Sequence, residues 1–279
     1  MKTFFRKLSK RKTAFAGLIF LVLTLIVAIL APLLVPMDPS TQNIAGRLMP
    51  PGWVSDEGIK HLLGTDQLGR DVLSRVIYGS RISIMVAVGA VFIGGAIGLI
   101  VGLVSGYAGG WVDSVLMRLV DMQLAFPFLL LALTMVTILG PSIMNVVLVL
   151  SVTSWISYAK VVRSSVLSVK YLEFIEASKA AGTKQFFILF RQILPNIISP
   201  FIVVASFQVA TLIIAESSLS FLGLGVPTSE PTWGAMLADG REYMTDAWWI
   251  AIYPGVMLML VAMSANLFGD GLRDVLDPR

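Results

Sequence analysis

Five stretches of this chain run for 23 residues or more without a charged side chain: 13–37, 82–112, 122–159, 192–215 and 247–269. A helix needs about 20 apolar residues to cross the hydrocarbon core of a bilayer. The 38-residue stretch at 122–159 is too long for one crossing, and Gly140-Pro141 divides it. Six membrane spans are therefore predicted, at 14–36, 82–106, 115–139, 142–162, 198–222 and 248–269. The expected fold class is all-α, a polytopic membrane protein. Composition agrees: 56% of the 279 residues are hydrophobic and 14% are charged, against about 25% charged in soluble domains. That balance argues against a water-soluble enzyme and against a disordered chain. Cysteine is absent and His61 is the single histidine, so disulfides, thiol catalysis and multi-histidine metal sites are not expected. The first apolar run is too long for the core of a signal peptide, and no small-x-small cleavage site follows it, so it reads as an uncleaved anchor.

Lysine and arginine set the expected orientation. Lys2, Arg6, Lys7, Lys10, Arg11 and Lys12 precede span 1. Lys170, Lys179, Lys184 and Arg191 lie between spans 4 and 5, with Lys160 and Arg163 at the preceding helix end. The loop after span 5 carries Arg241 alone among four acids. Both termini are thus expected in the cytoplasm. The net charge of +4 serves orientation rather than nucleic-acid contact. The outer loop at 37–81 departs from the pattern, with five basic residues. The expected division is a basic N-terminus at 1–13, span 1 at 14–36, an external loop at 37–81, a five-helix core at 82–269 containing a cytoplasmic loop at 163–197, and a tail at 270–279. No part is large enough for a separate enzyme domain.

Gly94, Gly98, Gly102, Gly106 and Gly110 recur every four residues, a small-residue stripe that lets a neighbouring helix approach closely. Arg118 and Asp121 lie three apart on one helical face and are expected to pair. Glu216 sits inside span 5 with no basic residue within 15 positions. An intramembrane carboxylate needs a cavity or polar partners, which makes Glu216 a candidate for the outer mouth of a translocation pathway or for a hydrogen bond to a neighbouring subunit, with a protonated packing residue as the alternative. No HExxH, G-x-S-x-G or phosphate-binding GxxxxGK[ST] occurs. No catalytic or cofactor site is expected, and ATP, if used, would be hydrolysed by another polypeptide.

The cytoplasmic loop carries the most specific signal. Glu173-Phe-Ile-Glu176-Ala177-Ser178-Lys179-Ala180-Ala181 favours a short helix that Gly182 would stop. Residues 183–194 predict a second helix, stopped by Pro195. Such a helix–Gly–helix has the form of a docking element. It resembles the "EAA" loop, E-A-A-x3-G-x9-I-x-L-P, of binding-protein-dependent ABC importer permeases. Glu176, Ala177, Gly182, Leu194 and Pro195 match; Ser178 stands for the second alanine and Gln192 for the isoleucine. Leu63-Gly-Thr-Asp66-Gln-Leu-Gly69-Arg70-Asp71, Arg118-Leu-Val-Asp121 running to Ala125-Phe-Pro127, Ser220-Phe-Leu-Gly-Leu-Gly225 and the closing Gly269-Asp270-x-Leu-Arg273-Asp274 are similar to the oligopeptide/dipeptide/nickel branch, and the basic N-terminus to its "C"-type subunit.

The resemblance implies a type I ABC importer permease. A homologous "B"-type permease, two cytoplasmic ABC ATPases, an extracytoplasmic substrate-binding protein and membrane lipid would be its partners. Glu176, Ala177, Ser178, Gly182, Leu194 and Pro195 would couple to the ATPases. Short peptides are the expected cargo. A nickel or metal-chelate importer is the alternative, and an ion-driven secondary transporter is the alternative from another class. The expected location is a bacterial or archaeal inner membrane.

Overall fold

The computed structural model describes residues 10–227 and 230–276. Lys2, Arg6 and Lys7 of the basic tail, and the final residues 277–279, lie outside them. The helices are α1 (Lys12–Leu34), α2 (Val72–Ala108), α3 (Gly110–Leu124), α4 (Phe128–Leu139), α5 (Ile143–Val169), α6 (Glu173–Ala180), α7 (Gln185–Phe187), α8 (Leu194–Phe221), α9 (Trp233–Arg241) and α10 (Trp249–Leu276). A π-helical turn, Ile188–Ile193, joins α7 to α8. One small hairpin, β1 (Trp53–Val54) with β2 (Lys60–His61), pairs antiparallel with Trp53 opposite His61.

Five helices are long and apolar enough to cross a membrane, and a bent pair makes six if it counts as one span. That pair corrects the expectation of one straight helix at 115–139. The chain breaks between α3 and α4, which meet at 88°. The break falls at Ala125-Phe126-Pro127: proline cannot donate to residue 123 and disfavours helical backbone at Phe126. The helix that contains the expected span 2, 82–106, starts ten residues before it. α2 begins at Val72 and runs for 37 residues, and its first turns bury Ser74, Arg75 and Ser80. Pro195 does not end a helix either. The helical path continues from Gln185 to Phe221. Pro195 sits in the first turn of α8, where a missing N–H is tolerated, and the wider π turn before it absorbs the mismatch.

The core is a seam between α2 and α5. A Cβ on Gly98 would lie 2.5 Å from Tyr158 Cβ; on Gly102, 2.7 Å from Val162 Cβ; on Gly106, 2.8 Å from Val166 Cβ. Gly94 faces Ser151 and Ser154 in the same way. The stripe therefore serves packing within the chain. Gly110 does not belong to it. α2 ends at Ala108, and Gly109 (φ 66°) and Gly110 (φ 52°) make the corner into α3 with left-handed backbone that favours glycine. At the far side, Gly17 of α1 packs against α10, where an added Cβ would meet Ser264 O at 2.7 Å.

The loop between α1 and α2 forms a cap on the starts of α2 and α10. Asp66 accepts from the Leu68 and Arg70 amides at 2.9 Å and from Arg70 Nε at 2.6 Å. Arg75 Nε stands 3.4 Å from the same carboxylate, and Asp239 of α9 reaches Arg70 at 3.4 Å and Arg75 at 3.6 Å. Asp71 caps α2 through the Ser74 amide at 2.8 Å and holds His61 Nδ1 at 2.9 Å. Trp249 Nε1 donates to Thr65 O at 3.0 Å. Two of the five basic residues that departed from the charge pattern, Arg70 and Arg75, are thus buried and paired with carboxylates.

Candidate coupling surface and the Glu216 site

α6 begins on Leu172 and carries Glu173 and Glu176 in its first turn and Lys179 in its last, complementing its dipole. Gly182, at φ 76°, closes it. Its amide donates to Lys179 O at 3.0 Å and the Thr183 amide to Ser178 O at 3.1 Å, the paired bonds of a glycine C-cap. One side chain of α6, Ile175, is buried. It enters a cluster with Leu103, Val162, Val166, Ile188, Ile193 and Ile197. Glu176, Ala177 and Gly182 face outward, Ser178 and Leu194 are half-buried, and Pro195 is exposed. The short helix therefore buries one aliphatic side chain in the bundle and leaves Glu173, Glu176 and Ala177 exposed.

Ser178 and Gln192 are the two departures from the EAA pattern, and they bond to each other. Gln192 Nε2 donates to Ser178 Oγ at 2.9 Å, while Ser178 Oγ donates to Phe174 O at 2.9 Å. Ser178 lies in α6 and Gln192 in the π turn, so a polar bond ties the helix to α8 where the pattern would place alanine against isoleucine.

An aromatic rim around α6 was not singled out in sequence. Tyr171, Phe174, Phe186, Phe187 and Phe190 are all exposed, Phe186 at 73%, and Phe186 stacks on Phe190 with centroids 4.4 Å apart. An exposed apolar patch of this kind suits a protein or a membrane contact. Five aromatics within twenty residues were the available signal, but their periodicity suits a buried face equally well.

Behind α6 lies the α2–α3 corner. Lys170 Nζ donates to Gly106 O at 2.8 Å, Lys179 lies over the Tyr107 ring at 5.9 Å, and Arg163 grips Asp113 with two bonds of 2.6 Å. Ser105 donates to the same carboxylate. Asp113 escaped notice because it ends an apolar run in sequence; only the fold brings it beside Arg163. Arg118 and Asp121 do not pair. No ion pair joins them among the described residues, because both stand on the uncovered side of α3 and extend outward separately.

Glu216 lies fully buried near the end of α8. Ser220 Oγ donates to it at 2.7 Å, Ser83 Oγ of α2 at 3.1 Å and Ser217 Oγ at 3.4 Å. Thr232, which caps α9 through the Ala235 amide, adds a contact. α9 closes over this site: a Cβ on Gly234 would lie 2.5 Å from Ser217 Cα. The carboxylate's partners are hydroxyls of its own chain.

The sequence model of the binding-protein-dependent transport system inner membrane component matches residues 94–279. A second model, the N-terminal TM domain of oligopeptide transport permease C, matches residues 1–51. The di/tripeptide transport system permease protein DppC of Pseudomonas aeruginosa is 39% identical over all of this chain and 92% of its own length. The dipeptide transport system permease protein DppC of Alkalihalophilus pseudofirmus is 41% identical over 99% of this chain and 88% of its own. Among solved structures, an inward-facing form of the methionine ABC transporter MetNI matches with a TM-score of 0.61 at 20% identity, covering 73% of this chain and 97% of the solved one, a likeness of fold. With two-thirds of its length matched by one model and near-complete alignment to such relatives, the chain belongs to the family of inner membrane components of binding-protein-dependent transport systems.

Proposed function

We propose that this chain is the permease subunit of an ATP-driven importer of short peptides, forming half of the translocation pathway. The cargo reading rests on the near-full-length relatives, which are dipeptide and di/tripeptide permeases. The observation that carries the mechanism is α6: an exposed short helix, capped by Gly182, with Ile175 its one buried side chain and exposed aromatics beside it. The partners are a homologous permease, two cytoplasmic ATPases that receive α6 in a groove, and an extracytoplasmic binding protein that delivers peptide. Both termini and α6 lie in the cytoplasm, and the outer cap faces away from it. Closure of the ATPases displaces α6. Because Lys179 rests on Tyr107 and Lys170 holds Gly106, that displacement is passed to the α2–α3 corner. A contact that differs between open and closed ATPases is what allows ATP to bias the permease.

The test is reconstitution of the assembled complex with its binding protein in liposomes. Labelled dipeptide should accumulate only with ATP on the α6 side. Accumulation driven by an ion gradient without ATP would refute the importer reading, and uptake of a nickel chelate in place of peptide would move the cargo. Since the chain has no cysteine, a single cysteine at Asp56 should react with an impermeant thiol reagent from outside; labelling from the cytoplasm alone would reverse the orientation.

A further inference from the structure

A cleft of about 620 Å³ opens between α5, α8 and the end of α10. One face of α8 lines most of it: Asn196, Ser199, Val203, Val204 and Phe207 follow one another at helical spacing. The lining changes character along that face. Asn196 and Ser199 lie at the end nearest α6, together with Arg273 of α10; Val203, Val204 and Phe207 lie deeper.

The dimensions fit one bilayer leaflet. From Asn196 to Phe207 is 11 residues, about 16 Å along a helix axis at 1.5 Å per residue, and half of a 30 Å hydrocarbon core is about 15 Å. Arg273 gives the same depth from another helix. It lies 24 residues past Trp249, about 36 Å along α10, and so beyond the hydrocarbon at the headgroup level. Basic residues gather there beside the exposed Asp270 and Asp274. Arg11 pairs with Asp274 at 3.0 Å, which brings Lys10 and Lys12 to the end of α10. With Asp274 occupied, no ion pair engages Arg273 among the described residues, and its side chain is exposed at the cleft mouth. Basic pockets between membrane helices on the cytoplasmic side suit anionic headgroups.

We infer that this cleft holds an anionic phospholipid of the leaflet on the side of the chain termini, its phosphate against Arg273, Asn196 and Ser199 and one acyl chain along Val203, Val204 and Phe207. The choice of leaflet as cytoplasmic rests on the orientation proposed above; the lipid does not.

The test uses the whole assembled complex in nanodiscs of phosphatidylcholine with and without phosphatidylglycerol. Lipid retained after delipidation is counted by native mass spectrometry, which reads binding independently of transport. Wild type should retain phosphatidylglycerol in preference to phosphatidylcholine. Arg273→Gln should lower that retention roughly tenfold, the loss of one charge-assisted contact. Val204→Trp, which fills the apolar part, should lower retention of both lipids, and Lys10→Gln with Lys12→Gln, which do not line the cleft, should lower phosphatidylglycerol retention by a smaller factor than Arg273→Gln. Equal retention of the two lipids by wild type, or unchanged phosphatidylglycerol in Arg273→Gln, would overturn the proposal; Arg273→Gln, exposed at a helix end, keeps it falsifiable if Val204→Trp fails to assemble. Displacement of phosphatidylglycerol by inorganic phosphate would assign the mouth to a free anion. Displacement by dipeptide without ATP would assign the cleft to the transport pathway. Either would also overturn it.

Discussion

Replacing Gly98 by alanine tests the α2–α5 seam directly. The new methyl would stand 2.5 Å from Tyr158 Cβ and 3.0 Å from the Ala159 amide nitrogen. Ordinary contact begins near 3.4 Å, so the pair is about 0.9 Å too close, and neither neighbour can rotate away because both atoms are fixed by the α5 backbone. The helices must separate. Overpacking of this kind costs about 1–3 kcal/mol, and alanine returns at most about 1 kcal/mol of helix propensity over glycine. A net loss of about 1–2 kcal/mol is expected. Gly89 on the same helix supplies the control. Its Cβ would meet Val147 Cγ1 at 3.2 Å, a terminal methyl that can shift by a few tenths of an ångström. Gly89→Ala should therefore be neutral or more stable by up to about 1 kcal/mol. Thermal melting of the assembled complex, followed by intrinsic fluorescence with both variants measured side by side, should place Gly98→Ala below wild type and Gly89→Ala at or above it. Equal melting temperatures for the two would refute the claim that backbone proximity at Gly98 sets the stability of the seam.

Glu216→Gln should keep most of the stability, since hydroxyls at Ser83, Ser217 and Ser220 can turn to satisfy an amide, whereas Glu216→Leu strands several buried hydroxyls at about 1–3 kcal/mol each; melting temperatures in the order wild type, Gln, Leu are the expected result. Ser178→Ala should weaken the tie between α6 and α8 by about 1 kcal/mol, and adding Gln192→Ile should restore it; a double-mutant cycle on transport-coupled ATP hydrolysis that closes to zero would show that the two residues act independently. Gly182→Asp places a side chain at φ 76°, a strain of order 1 kcal/mol, and should lower the number of peptides moved per ATP while assembly persists; an unchanged ratio would remove Gly182 from the coupling element.

Much of this was legible in the chain because the bilayer imposes a simple rule on sequence. Runs of uncharged residues marked the spans, and the glycine interval marked one packed face. What escaped lies where two distant segments meet. The break at Ala125–Pro127 sits inside an apolar run, and hydropathy carries no information about bending. Asp113 and Arg163 are fifty positions apart, and no periodicity links them. Glu216 stood out as a charge in an apolar segment, but only the fold shows that Ser83, 133 positions away, answers it. Arg70 and Arg75 counted only as departures from the charge pattern, because periodicity does not show Asp66 and Asp239 beside them. The helix stop expected at Pro195 failed for a local reason: a π turn ahead of the proline lets the helix pass through.

The packing of Gly17 against α10 has a consequence for biogenesis. α1 enters the membrane before the rest of the bundle has been synthesised, and the surface that receives Gly17 belongs to the last of the described helices. Throughout translation of the intervening residues, α1 is held on this side by lipid or by the insertion machinery, with a glycine notch that no earlier helix fills. Closure of that notch, and of the Arg11–Asp274 pair beside it, becomes available only once α10 has been delivered. A nascent chain truncated before α10 should therefore expose the Gly17 face for as long as it survives, which gives membrane quality control a feature by which to tell an unfinished permease from a complete one.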